Sequence, residues 1–240
     1  MALILITGAS TGLGLAAART LTAQGHSVVV HTRSPDRLPD LAPYAFVHGD
    51  LSHMGETLSV AGQADAFGRF DAVIHNAGVY RDPGALQVNT VAPYLLTAAM
   101  AKPRRLIYLS SGYHLDGSTD LDGIDFAETR VRPGAYEDAK LYETTLAFAV
   151  ARRWADTVAH VVDPGWVPTR MGGPGAPGDL EAGHRTQEWL ATAPEEEIVP
   201  RTGGYWYHRK VSRSHPAASD PDFQHALLER LEAHTGVKLG

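Results

Sequence analysis

The opening of the chain constrains its fold most. Leu3-Ile4-Leu5-Ile6-Thr7 is a short apolar run, and Gly8-Ala9-Ser10-Thr11-Gly12-Leu13-Gly14 follows it directly. The run reads as a buried strand, and Leu13–Gln24 reads as an amphipathic helix. Glycines between the two permit a tight turn and close backbone approach to a pyrophosphate. The helix N-terminus adds free N–H groups and a partial positive charge. A glycine-rich strand–helix turn can be purely structural, but a strand before and a helix after favour dinucleotide binding.

The same alternation continues along the chain. Apolar runs at Ser27–His31, Tyr44–His48, Ala72–His75, Arg105–Leu109 and Val158–Val162 are separated by helical stretches such as Ala85–Met100 and Glu137–Trp154. This predicts an α/β fold: a doubly wound parallel sheet of about seven strands, with helices on both faces. A seventh run, Gly204–Tyr207, and a helical stretch, Phe223–His234, close the chain. No linker divides it, so residues 1–240 are expected to form one domain. The pattern loosens after Pro164, and Gly172–Gly178 is rich in Gly and Pro. The region from about 166 to 200, including the helix containing Trp189, is expected to form a substrate lid. Glu195–Glu197 reads as a solvated face.

Composition narrows the function. The net charge is −6 over 240 residues, which disfavours a nucleic-acid partner. Without cysteine there is no disulfide framework, catalytic thiol or thiolate metal site. No apolar run approaches the ~18 residues of a membrane helix. Met1–Ile6 lacks a basic leader and reads as a core strand, so a cytoplasmic location is expected. The 12 histidines show no metal-ligand spacing and are read as surface polarity; no metal is expected.

Further motifs fall at strand ends, where such sheets bind ligands. They are Asp50-Leu51, His75-Asn76-Ala77-Gly78, Ser110-Ser111, Tyr136-x-x-x-Lys140 and Pro164-Gly165-Trp166-Val167-Pro168-Thr169. With the T-G-x-x-x-G-x-G loop at Thr7–Gly14, their order resembles the short-chain dehydrogenase/reductase family, from Ala2 to about Met171. The resemblance implies a Rossmann-type fold and a nicotinamide cofactor. It implies cofactor contacts from Gly8, Ser10, Thr11, Gly12, Leu13, Gly14, Asp50, Leu51, Asn76, Ala77, Gly78, Tyr136, Lys140, Pro164, Gly165, Val167 and Thr169. The long stretch Gly112–Pro133 and the tail Gly203–Tyr207 resemble the retinol-dehydrogenase-like branch. Only ten residues separate Gly78 from Asn89, fewer than is usual in the family. A helix often used in family dimers is thereby shortened, which leaves a homo-oligomer open.

The residues suggest their own chemistry. Tyr136 and Lys140, four apart on a helix, share a face. The ammonium is expected to lower the tyrosine pKa from its ordinary value of about 10. Tyr136 would then act as general acid toward a carbonyl or base toward an alcohol. Ser111 would donate a hydrogen bond to the substrate oxygen. The resemblance implies that Lys140 also reaches the nicotinamide ribose and that Asn89 holds a relay water. The second strand ends in Thr32-Arg33-Ser34 rather than a carboxylate. Arg33, with Ser34, favours a 2′-phosphate and hence NADP(H), with NAD(H) not excluded. Ser111, Tyr80, Tyr113, His114, Trp166 and Met171 are the expected substrate contacts, suited to a small lipophilic or aromatic carbonyl or alcohol. Two other readings are a non-catalytic NADP(H) sensor on the same fold and a sugar-nucleotide epimerase or dehydratase. The filled catalytic positions disfavour the first, and the glycine spacing and short C-terminal region disfavour the second.

Overall fold

A computed structural model describes residues 1–34, 36, 44–128 and 130–240. Its strands are β1 (Leu3–Ile6), β2 (Ser27–Thr32), β3 (Ala45–His48), β4 (Ala72–His75), β5 (Arg105–Leu109), β6 (Val158–Asp163), β7 (Tyr205–Tyr207) and β8 (Lys210–Val211). They form one sheet in the order β3-β2-β1-β4-β5-β6-β7-β8. Neighbours from β3 through β7 pair in parallel, and β8 returns antiparallel to β7. The sequence reading stops one strand short. β8 is two residues long and follows a tight turn in which His208 and Arg209 both take positive φ.

The helices are α1 (Gly12–Ala23), α2 (Met54–Asp65), α3 (Ala92–Ala99), α4 (Ala135–Arg153), α5 (Leu180–Thr192), α6 (Pro216–Ser219) and α7 (Pro221–Thr235). Successive side chains of a strand point to opposite faces, and β1 shows the consequence. Leu5 packs with α2, α3, α4 and α7, whereas Ile4 and Ile6 pack with α1 and α5. Both faces are covered, so the strand can be apolar throughout. β1 lies between β2 and β4, so successive connections leave it in opposite directions. That reversal opens a crevice at the strands' carboxyl ends.

Two expectations change. The helix containing Trp189 is not part of a lid. α5 is a layer of the fold: Leu190 is fully buried, Trp189 packs edge-on against Trp206, and Arg105 Nη1 donates to the Leu190 carbonyl. The histidines are not all surface polarity either. His31, His75, His114, His160 and His184 are buried. His75 stacks on Tyr108 with ring centres 4.6 Å apart. His160 Nδ1 accepts from Trp206 Nε1 at 3.1 Å, and Nε2 donates to the Arg201 carbonyl.

These burials fix a pH response. Burial pushes His75 down to about 3 and His160 down to about 4, and it also lowers His31 and His114. A folded-state pKa below the unfolded value means that the unfolded chain takes up more protons. Stability is then complete above the unfolded value of about 6.5 and declines as pH falls below it. Glu143, held up to about 7 by burial, works in the opposite sense and offsets one histidine. Unfolding free energy, and the urea midpoint with it, should therefore fall between pH 6.5 and 5, by on the order of 1 kcal/mol per pH unit. A midpoint that is flat or rising over that interval would contradict this burial pattern.

Candidate active site

The crevice is built from side chains that hold the ends of β1, β2 and β4 together. Thr7 Oγ1 accepts the backbone N–H groups of Asn76 and Ala77, both at 3.0 Å. Asn76 Nδ2 donates back to the Thr7 carbonyl at 2.8 Å. The loop then runs so close to β4 that only glycine fits. A Cβ on Gly8 would lie 2.7 Å from Ala77 Cα, and one on Gly14 would lie 2.5 Å from Asn76 Nδ2. His31 supports the loop from the other side. Its Nδ1 accepts the Gly8 N–H at 3.1 Å, which leaves Nε2–H to donate to the Gly49 carbonyl at 2.9 Å. Sequence reasoning missed His31. A polar residue inside an apolar strand must find partners, and that was the available signal.

A cavity of about 490 Å³ opens above this loop. Of the expected cofactor contacts, Gly8, Ser10, Thr11, Gly12, Leu13, Arg33, Asp50, Leu51, Asn76, Ala77, Gly78 and Thr169 line it. The structure adds His31, Val79, Asp82, Val88 and Arg170, and Tyr80 and Met171 come from the expected substrate side. Gly14, Ser34, Tyr136, Lys140, Pro164, Gly165 and Val167 are not in its walls. Gly14 is packed beneath the loop, and Val167 is buried. The α1 N-terminus at this cavity has no side-chain cap and no acidic residue in its first turn. Its N–H groups are left for an anion. Arg33 lies 4.0 Å from Asp50, and Arg170 supplies a second guanidinium. Burial would raise the Asp50 pKa, but hydrogen bonds from Ser52 and the charges of Arg33 and His53 hold it below the ordinary carboxylate value. A glycine cradle, an uncapped helix and two guanidiniums fit a phosphorylated dinucleotide.

The catalytic candidates meet at the ends of β5 and α4. Ser110 is structural: its hydroxyl bonds Thr144 Oγ1 at 2.9 Å and the Lys140 carbonyl at 3.2 Å, fixing α4 to β5. Ser111 faces Tyr136, and its hydroxyl accepts the Tyr113 N–H at 3.3 Å. Lys140 is buried, with Nζ donating to the Leu109 carbonyl at 2.6 Å and to Glu143 Oε2 at 2.8 Å. Asn89 lies in a π-helical turn, Gln87–Val91, where the reading anticipated ordinary helix. Its side chain is committed to the Val79 backbone, accepting from N–H and donating to C=O, both at 2.9 Å. These bonds fix the side chain beside Gly78, where Lys140 Nζ also stands.

The expected lowering of Tyr136 does not hold in this protein. Burial raises its pKa above the ordinary value, against the downward pull of Lys140 and Ser111. Glu143 and Asp163, two carboxylates absent from the sequence reading of the site, push it the same way as burial.

On the substrate side, Tyr80 and Tyr113 are 6.5 Å apart and within 13° of parallel. Both present nearly perpendicular rings to Tyr136, at 4.9 and 6.2 Å. Met171 sits over Gly78. Trp166 is largely exposed, its Nε1 donating to the Gly172 carbonyl. His114 is not a wall residue. It is fully buried and stacked on Tyr205, with Nδ1 against the Ser111 carbonyl at 2.7 Å and Nε2 accepting the His215 N–H at 3.1 Å. The long stretch after Ser111 folds back on α4: Asp138 accepts from the Ser118 N–H and from Arg132, each at 2.7 Å.

Comparison with known proteins agrees with this architecture. The family model for short chain dehydrogenases matches residues 2–97. An uncharacterized oxidoreductase of Emericella nidulans is 37% identical, over 99% of this chain and 98% of its own length. The short-chain dehydrogenase chry4 of Gibberella zeae is 37% identical, over 100% and 99%. A Streptomyces protein named "Putative daunorubicin C-13 ketoreductase DnrU" is 31% identical, over 97% and 92%. Among solved structures, an uncharacterized protein of Mycobacterium paratuberculosis superposes with a TM-score of 0.84 at 20% identity, covering 100% of this chain and 95% of that one. A Shigella flexneri short chain dehydrogenase complexed with NADP gives 0.71 at 21% identity, covering 87% and 97%. The chain belongs to the short-chain dehydrogenase/reductase family. It is an oxidoreductase of the class that uses a nicotinamide cofactor.

The buried support of the loop is testable. Replacing His31 by Leu leaves the Gly8 N–H and the Gly49 carbonyl without partners, a cost of about 1–3 kcal/mol for each group that stays dry. Urea unfolding should show that loss, and fluorescence titration should show weaker binding of a reduced nicotinamide cofactor. Stability and affinity both equal to wild type would mean that His31 does not hold the loop.

Proposed function

We propose that the protein is an NADPH-dependent reductase that carries hydride to a carbonyl carbon of a small lipophilic or aromatic substrate, or the reverse reaction on the alcohol. One observation carries the reading. Ser111, Tyr136 and Lys140 converge beside a cavity whose walls combine a glycine loop, an uncapped helix N-terminus and two arginines.

The bound nicotinamide supplies the hydride. The chain does the rest. The Thr7–Gly14 loop and the α1 N-terminus hold the pyrophosphate. Arg33 takes a 2′-phosphate in charge-assisted bonds, with Ser34 beside it. Lys140 reaches toward the ribose past Gly78; its Nζ stands 3.7 Å from where a Cβ of that residue would be. Ser111 donates a hydrogen bond to the substrate oxygen. Tyr136 gives that oxygen its proton, and the same group withdraws it in the oxidative direction. Lys140 and Asn89 resupply the proton through solvent.

Tyr80 and Tyr113 frame the substrate. Their centroids, 6.5 Å apart, are closer than the roughly 7 Å that a ring sandwiched between them needs, so an aromatic substrate packs along the pair rather than between the two rings. Residues 166–178 act as the lid, since α5 is fixed in the fold. The relative named as a ketoreductase supports the carbonyl chemistry, and the Shigella structure with NADP supports the choice of cofactor. Among the described residues, no helix is long and apolar enough to cross a membrane, and no group of three or more acidic or histidine side chains could hold a metal ion.

Two experiments test this reading. NADPH oxidation should proceed with some members of a panel of aromatic and lipophilic ketones, aldehydes and quinones. Tyr136→Phe should slow it about 10²–10⁴-fold. NADPH binding without turnover on any carbonyl would favour a sensor instead. Arg33→Ala should weaken NADPH binding about tenfold or more while leaving NADH unchanged. Equal losses for both cofactors would remove Arg33 from 2′-phosphate recognition.

A further inference from the structure

Glu143 has no place in the chemistry just described, yet it is completely buried beside it. It lies one helical turn beyond Lys140 on α4, with Oε2 2.8 Å from Lys140 Nζ and Oε1 without any partner. A buried ion pair is poor evidence of a stability requirement, because replacing both partners by apolar residues of equal volume is often neutral or stabilising. Lys140 itself belongs to the proposed mechanism, which leaves the role of its partner to be explained.

Lysine has three N–H donors. One is held by the Leu109 carbonyl and one by Glu143; the third remains for the side facing Gly78 and the cofactor cavity. Burial alone would strip the proton from a lysine, and a carboxylate in contact restores it. Here the pull of Glu143 overcomes that burial and leaves Lys140 above its ordinary pKa. The same negative charge raises Tyr136. The other titratable groups around the pair are Tyr108 on β5, stacked on His75 of β4, with Asp163 on β6 and Tyr205 on β7. The π-helical turn Gln87–Val91 contributes none. Glu143 alone among them hydrogen-bonds the lysine.

We propose that Glu143 is a positioning residue of the Tyr136–Lys140 pair: it anchors the lysine ammonium, keeps it charged while buried, and sets the net charge that Tyr136 faces. This rests on the reductase reading for its purpose, but its test does not depend on turnover. Glu143→Gln keeps an acceptor and removes the charge. Lys140 then loses its proton more easily, and Tyr136 ionises more easily. Both limbs of the pH profile for alcohol oxidation (kcat/KM) should move to lower pH by about one unit. In binding alone, read by NADPH fluorescence without substrate, the alkaline loss of affinity should begin at correspondingly lower pH.

Glu143→Leu provides the second variant; it leaves the buried Lys140 ammonium without its carboxylate, so a lower melting temperature is expected with it. It should show the same alkaline shift in binding and also a lower kcat, because the ammonium is no longer anchored. Near-ultraviolet circular dichroism and the melting temperature check that each variant folds. A folded Gln or Leu variant whose binding keeps the wild-type dependence on pH would overturn the proposal. A wild-type protein without carbonyl turnover would defeat the reductase reading alone, and the binding shift would still decide the role of Glu143.

Discussion

The site depends on one polar joint, where Thr7 at the end of β1 receives two backbone N–H groups from the segment following β4. That joint lies at the switch in strand order, where the crevice opens. It brings the glycine loop so near Ala77 and Asn76 that a single extra carbon on Gly8 or Gly14 would collide. The loop, the α1 N-terminus and the residues from Asn76 to Gly78 then share one wall. Asn89 extends the same frame by clamping the Val79 backbone, so the loop after β4 is held from both ends.

α4 carries the second half of the design. It is buried for most of its length against β5, β6 and the C-terminal helices, which makes it a rigid support for Tyr136 and Lys140. Rigidity comes with desolvation. Tyrosine and lysine in such a place both favour their neutral forms, and the site works only if charges nearby oppose this. Lys140 and the Ser111 hydroxyl oppose burial at Tyr136 without overcoming it, whereas Glu143 does overcome it at Lys140. The proton chemistry thus depends on a chain of charges running along a single helix face.

The strand–helix alternation was legible because each buried strand is a short apolar run and each turn is marked by glycine, proline or a polar pair. The glycine loop and the Tyr136–Lys140 spacing were legible because backbone geometry alone gives those spacings meaning. Other features were not. His114 looked like a pocket residue from its place after Ser111, yet it turns inward onto Tyr205. His31 and Glu143 looked like ordinary polar residues within a strand and a helix. The partner of His31, Gly8, is identified only once the strand ends are brought together; Glu143 stands three residues after Lys140 on the same helix, and what the sequence does not reveal is its complete burial. The direction of the Tyr136 shift was misread for the same reason: a sequence gives the neighbouring charge but not the depth of burial. The π-helical turn at Asn89 leaves no sequence signature, since it differs from α-helix by one extra residue per turn.

The most direct test of hydride transfer is the fate of an isotope. NADPH carrying deuterium at the transferred position of the nicotinamide is incubated with a reducible ketone and the protein, and the alcohol is examined by mass spectrometry and NMR. The account expects a single deuterium on the carbinol carbon in one stereochemical configuration, and none at that carbon when unlabelled NADPH is used in heavy water. Carbinol hydrogen drawn from solvent, or cofactor label that never reaches the product, would contradict direct transfer between nicotinamide and substrate at this site.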